Sequence, residues 1–188
     1  MLPDRCVINL AAIEDIDYKE QKVGFWEDVY GINMSCIKQN VFQEPIVDIC
    51  EKKAVNSNVC RILEIDLYTV TKEELNFSNQ YELTFFRRDT VNALLTWFDC
   101  FFDKLPNKVH FSTGLFLFNV GPFNKSTHWK QVVFYTEKDI NVEKGETLHG
   151  SIAVRKNVTN FRELDIKISF HFNGQNDICD TYQLFKLK

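Results

Sequence analysis

Residues 60–70 read "CRILEIDLYTV" and residues 81–86 read "YELTFF". In the first stretch Leu63, Ile65 and Leu67 fall two apart, with Glu64 and Asp66 between them. Successive side chains of a strand point to opposite faces, so this spacing gathers the three apolar groups on one face of an extended chain. The same rhythm continues in "VHFST" (109–113), "WKQVVFYT" (129–136), "GETLHGSIAVRK" (145–156), "RELDIKISFHF" (162–172) and "DTYQLFKL" (180–187), with turn signals at "LPN", "KG" and "NG". Residues 89–102, "DTVNALLTWFDCFF", space Val91, Leu94, Leu95 and Phe98 as a helix would, but their β-branched and aromatic content favours a long strand. Many short strands without helices between them define an all-β chain, a β-barrel or barrel-like sandwich.

The N-terminal part departs from this rhythm after one strand. "LPDRCVINLAAIED" (2–15) turns Cys6, Ile8 and Leu10 inward, and Pro3 breaks whatever precedes it. Residues 18–34, "YKEQKVGFWEDVYGINM", then place Phe25, Trp26, Val29, Tyr30 and Met34 at spacings of one, three and four, a short helical face interrupted by Gly24 and Gly31. "SCIKQNVFQEP" (35–45) predicts a second helix, capped by Ser35 and stopped before Pro45. Residues of about 18–58 are therefore expected to form a helical insertion projecting from a single domain of residues 1–188. Tyr30 and Met34, four apart, should share one side of its helix.

Composition narrows the function. The 188 residues carry 17 phenylalanines, enough apolar surface for a packed core, and a net charge of −4. That charge argues against direct nucleic-acid binding and favours basic partners. Cys6, Cys36, Cys50, Cys60, Cys100 and Cys179 include no CxxC pair and sit among apolar neighbours, which predicts core thiols and no metal site. No uncharged run reaches the roughly 20 residues a bilayer helix needs, and no leader pattern opens the chain. The expectation is a cytoplasmic and nuclear protein that engages no membrane, with Asn-x-Ser/Thr triplets at Asn33, Asn76, Asn124 and Asn157 as chance matches. Phosphate-cradling glycine loops, G-x-S-x-G and internal repeats are absent from the sequence.

One short stretch carries candidate chemistry. In "STHWKQV" (126–132) a histidine stands between a threonine and a tryptophan, after the turn-rich "GPFNKS" (121–126) and before an apolar strand. Polar and aromatic groups at the mouth of a rigid barrel commonly form sites, and an imidazole there can orient an acid or accept a proton.

"STHWKQVVFY" (126–135) resembles the threonine-histidine-tryptophan loop of the protein arginine methyltransferases. "LPDRCVINLAAIED" resembles the passage from that family's methyl-donor domain into its barrel, and "FWEDVYGINMSCIK" (25–38) resembles the start of its dimerisation arm. "EIDLYTVTKEEL" (64–75) and "VFYTEKDINVEKGETLHGSI" (133–152) continue the match, which covers essentially all 188 residues. The resemblance implies the C-terminal β-barrel half, with its arm, of a type I, asymmetric-dimethylating enzyme. Such enzymes move methyl from S-adenosylmethionine to guanidinium nitrogens of arginines in histones and RNA-binding proteins.

The same resemblance implies that the Rossmann-like cofactor domain lies outside this chain, which alone would bind no S-adenosylmethionine and be inactive. It makes His128 the catalytic residue, facing a donor-domain carboxylate, with Thr127 and Trp129 binding substrate along the arginine channel. Phe25, Trp26, Tyr30 and Met34 become the arm contacts of a homodimer, and Pro3 the cis proline of the joint. The bland alternatives are that Trp129 is barrel core and that the arm residues cover one barrel end. A rival function is a stand-alone barrel adaptor that binds basic peptides without catalysis. Two departures stand out: "GLFLFNVGPFNK" (114–125) is longer than the resemblance implies, and Phe25-Trp26 occupies a place usually richer in tryptophan.

Overall fold

The computed structural model describes residues 1–114 and 127–188. The strands among them are β1 (Arg5–Ile13), β2 (Ile46–Asp48), β3 (Cys60–Asp66), β4 (Phe77–Thr84), β5 (Asp89–Phe102), β6 (Val109–Ser112), β7 (Gln131–Val142), β8 (Thr147–Lys156), β9 (Leu164–Asn173) and β10 (Ile178–Leu187). Two short helices, α1 (Ile16–Lys22) and α2 (Lys38–Gln43), lie between β1 and β2. One sheet runs β2-β7-β5-β1-β3, with β6 on the free end of β5, and the second runs β10-β9-β8-β4. All their pairings are antiparallel. The all-β expectation holds, in the form of a barrel-like sandwich.

The core follows from side-chain alternation. Leu10, Leu94 and Phe134 of the first sheet meet Leu83, Leu148, Ile168, Phe170 and Phe185 of the second. On the other face of the first sheet Ala11, Ile13, Ala93, Leu95, Trp97 and Tyr135 form a second core with Cys50 and Val55. Because β1 is covered on both faces, Leu10 to Ile13 are consecutively buried, a run that inward Cys6, Ile8 and Leu10 alone do not anticipate. In β3 the deeply buried residue is Ile62, while Leu63 and Ile65, and Leu67 just beyond the strand, are half-buried. A register shift against β1 between Ile8 and Asn9 changes which side chains face inward. The peptide bond before Pro3 is cis.

The arm departs most from expectation. Phe25 and Trp26 lie on a single 3₁₀ turn, Gly24–Glu27, rather than on a helix that continues to Met34. Val29 and Ile32 exchange backbone hydrogen bonds of 2.9 and 3.1 Å, closing a tight turn through Tyr30 (φ 55°) and Gly31 (φ 84°). Glycine takes that left-handed conformation without strain, and Asp28 Oδ1 accepts the Gly31 N–H at 2.7 Å. Tyr30 and Met34 therefore do not share a helix face. Ser35 makes no side-chain cap; it opens a 3₁₀ turn, Ser35–Ile37, that leads into α2. The helical part spans 16–43, and the chain then rejoins the body: β2 pairs with β7, and Ser57 Oγ accepts the buried Ala12 N–H at 2.8 Å.

Candidate functional site

The length of β5 creates the site. Its last residues, Asp99–Phe102, pair with β6, so Phe98, Phe102 and Phe111 assemble beyond the main core. Residues 127–130 then lead into β7. The Lys130 N–H donates to the Thr127 carbonyl at 3.3 Å, and Lys130 itself takes a left-handed φ of 56°, so the loop turns sharply. Trp129 stacks on Phe111, with ring centres 5.7 Å apart and planes 17° off parallel, and meets the edge of Phe98 at 6.1 Å. Such aromatic contacts orient a ring as well as burying it.

His128 lies 3.9 Å from the Trp129 ring, exposed and without a polar contact to the described residues. Trp129 is 50% exposed, which removes the reading of it as barrel core. The Thr127 Oγ1 atom is buried with no hydrogen-bond partner among the described residues. Thr127, His128 and Trp129 thus stand together. The apolar stretch 115–123 and the "GPFNKS" turn lie outside the described residues.

Phe25 and Trp26 meet edge to face at 5.3 Å, and the Met34 N–H donates to the Trp26 carbonyl at 2.9 Å. Tyr30 is fully exposed at its turn, and Phe25 and Ile32 of the arm are exposed as well. The arm is tied to the histidine loop by side chains that sequence reading missed. Asp48, at the end of β2, accepts hydrogen bonds from Lys130 Nζ at 2.8 Å and from the Tyr18 hydroxyl of α1 at 3.1 Å. The Lys130 contact, then the Ile49 N–H, hold the Asp48 carboxyl below its ordinary range. Burial, followed by the Asp48 contact, raises the Tyr18 hydroxyl.

A second tie lies directly beneath. The Tyr135 hydroxyl donates to Asp15 at 2.6 Å, and burial, followed by that bond, raises its pKa. The Tyr18 and Tyr135 rings are stacked. Gln131 accepts the Cys50 N–H at 2.9 Å and donates to the Thr113 carbonyl at 2.5 Å. Lys130 and Gln131 fall within "STHWKQV", yet in sequence they resemble solvent-facing residues.

Among the described residues no group of three or more His, Cys, Asp or Glu is placed to hold a metal, and no helix is long and apolar enough to cross a membrane. A cavity of about 780 Å³ opens between Phe77, Val154, Ile166 and Phe185 and shares no residue with the histidine loop.

The described residues thus form an antiparallel, barrel-like sandwich that carries a short arm and a threonine-histidine-tryptophan turn. Residues 4–175 match the model of the arginine methyltransferase oligomerization subdomain, and the chain belongs to that family. It is 51% identical over 173 residues to Protein arginine N-methyltransferase 1 of Schizosaccharomyces pombe, covering 92% of this chain and 49% of that protein. To Protein arginine N-methyltransferase 1 of Caenorhabditis elegans it is 43% identical, covering 96% of this chain and 49% of that protein. It superposes on a chain of the Trypanosoma brucei PRMT1 enzyme-prozyme heterotetrameric complex with AdoHcy at a TM-score of 0.92 and 29% identity, over all of this chain and 57% of that one. The chain spans about half the length of the curated relatives it matches.

Proposed function

We propose that this chain is the barrel and oligomerisation half of a protein arginine N-methyltransferase that uses S-adenosylmethionine to methylate arginine-rich protein tails, such as those of histones and RNA-binding proteins. The observation that carries the reading is the Thr127–Trp129 turn: an aromatic bed and the Lys130–Asp48 pair hold it in place, while its imidazole stays open to solvent. The names of the relatives supply the reaction.

The described residues do not fit S-adenosylmethionine. Every strand pairing among them is antiparallel, and no glycine-rich turn leads from a strand into a helix N-terminus. No step through the cofactor is therefore assigned to this chain. Its own contribution is a wall. Arginine keeps its proton at neutral pH, so a guanidinium acceptor must be oriented and its proton received once the new bond forms. In this reading His128, exposed on the turn, receives that proton or pairs with a carboxylate facing it, and the exposed Trp129 ring offers a π face to the cation. The net charge of −4 favours basic tails.

The arm points to a second copy of the chain as partner, since Tyr30, Phe25 and Ile32 expose an apolar tip. The six free cysteines suit a cytoplasmic and nuclear location.

Two measurements test this reading. The chain fused to the cofactor domain of a methyltransferase relative should transfer methyl from S-adenosylmethionine to an arginine- and glycine-rich peptide, whereas the chain alone should give no calorimetric signal with the cofactor. Micromolar binding by the chain alone would refute the division of labour. In the fused protein, Tyr30→Ala with Met34→Ala should weaken the dimer about 30-fold by sedimentation, the effect of losing a buried aromatic anchor. An unchanged dimer with an unfolded barrel would instead make the arm a cover for the core.

A further inference from the structure

Cys6 of β1 and Cys100 of β5 are direct cross-strand partners, and their sulfurs lie 3.4 Å apart. Opposed residues of an antiparallel pair have Cα atoms about 4.5–5.5 Å apart, inside the roughly 4.4–6.8 Å that a disulfide spans. Side-chain rotation alone can then close the bond, with both strands left in register. The other thiols differ: Cys36 is exposed on the arm, Cys50, Cys60 and Cys179 are dispersed over other elements, and none of the four makes a sulfur-sulfur contact with a described residue.

We propose that Cys6 and Cys100 form a reversible oxidation site that takes a hydroperoxide as its co-reactant. The Cys6 sulfur attacks the peroxide, taking one oxygen to become a sulfenic acid and releasing the other as water or an alcohol. The Cys100 sulfur then displaces that oxygen as water, and the S–S bond forms. Two thiols and one hydroperoxide thus give one disulfide, one alcohol or water, and one further water, with two electrons passing from sulfur to the O–O bond. A small thiol such as glutathione reverses the step by exchange.

The order of attack follows from placement. Cys6 is half-buried and within reach of a small oxidant, whereas Cys100 is buried. Burial, then the Cys6 contact, raises the Cys100 thiol and disfavours it as the first nucleophile, while its 3.4 Å contact lets it reach the Cys6 sulfur once that sulfur is oxidised. Cys100 also stands directly opposite Phe111, the ring on which Trp129 stacks. The disulfide would staple β1 to β5 beneath the aromatic bed of the histidine loop. The proposal does not depend on the methyl-transfer reading.

The test uses the purified chain, treated with hydrogen peroxide, blocked with an alkylating reagent and mapped by mass spectrometry. Before blocking, the expected product is lighter by about 2 Da; after it, the map links the Cys6 and Cys100 peptides and shows Cys36, Cys50, Cys60 and Cys179 alkylated, and glutathione returns the dithiol. In Cys100→Ser, dimedone should trap a sulfenic acid at Cys6. In Cys6→Ser, adduct at position 100 should fall at least about tenfold below that level. Cys36→Ser removes the competing exposed thiol and must leave the linkage intact. Free, alkylatable Cys6 and Cys100 after peroxide, or linkage only through Cys36 between chains, would overturn the proposal. The wild-type map decides even if a serine variant folds poorly.

Discussion

In the fusion to a relative's cofactor domain, replacing His128 with alanine is expected to lower turnover by about 10²-fold or more while changing S-adenosylmethionine affinity less than about twofold, if the proposed function holds. The reason is placement. The imidazole stands exposed on a turn whose neighbours are aromatic rings, and it makes no polar contact with the described residues, so its removal unpairs none of them. In the chain alone the same change should alter stability by only about 0.5 kcal/mol, as at other exposed positions. Steady-state kinetics set beside urea melts separate the roles. Normal turnover combined with a badly destabilised barrel would make His128 a structural residue.

Gly150→Ala should destabilise the barrel several times more than His128→Ala, although it adds only one methyl group. A Cβ at this position would stand 2.0 Å from the Ser169 carbonyl oxygen and 2.5 Å from the Tyr81 ring and hydroxyl. Neither neighbour can retreat easily. Ser169 belongs to β9, which is laddered to both β8 and β10, and the buried Tyr81 donates its hydroxyl to that same carbonyl at 2.7 Å. Overpacking costs about 1–3 kcal/mol and the lost hydrogen bond about 1 more, so a loss near 3 kcal/mol is expected, or about 10 °C in melting temperature at this size. Thermal and urea melts read it directly. Because the tyrosine hydroxyl is one of the clashing atoms, Tyr81→Phe in the same chain should recover part of the loss. A change under about 1 kcal/mol would show that the close approach of β8 to β9 is absent.

Neither effect is visible in the local pattern around its residue. "GETLHGSIAVRK" announces a strand, and β8 is one, but nothing in it says that Ser169 and Tyr81 close over Gly150. "STHWKQV" draws attention to His128 and leaves Lys130 unremarked, although Lys130 anchors the turn to a carboxylate 82 residues away.

What the sequence determined by itself is the part that depends on period and composition. Alternation and β-branched or aromatic content suffice for β4 and for β6 to β10, and they correctly made a strand of residues 89–102 despite their helix-like spacing. The run of motifs from residue 2 to residue 152 was enough to recognise the family. Tertiary structure decided what depends on distant partners. It made a three-residue strand of Ile46–Asp48, since β7 supplies the hydrogen bonds so short a segment cannot make alone. It turned the chain sharply at Tyr30–Gly31, where a helix would have had to nucleate across a glycine. It also set Cys6 against Cys100, 94 residues apart, and brought Tyr18, Asp48 and Lys130 to one point. Such contacts arise when sheets close on one another, and chain closure over that distance leaves no periodic trace in the residues it joins.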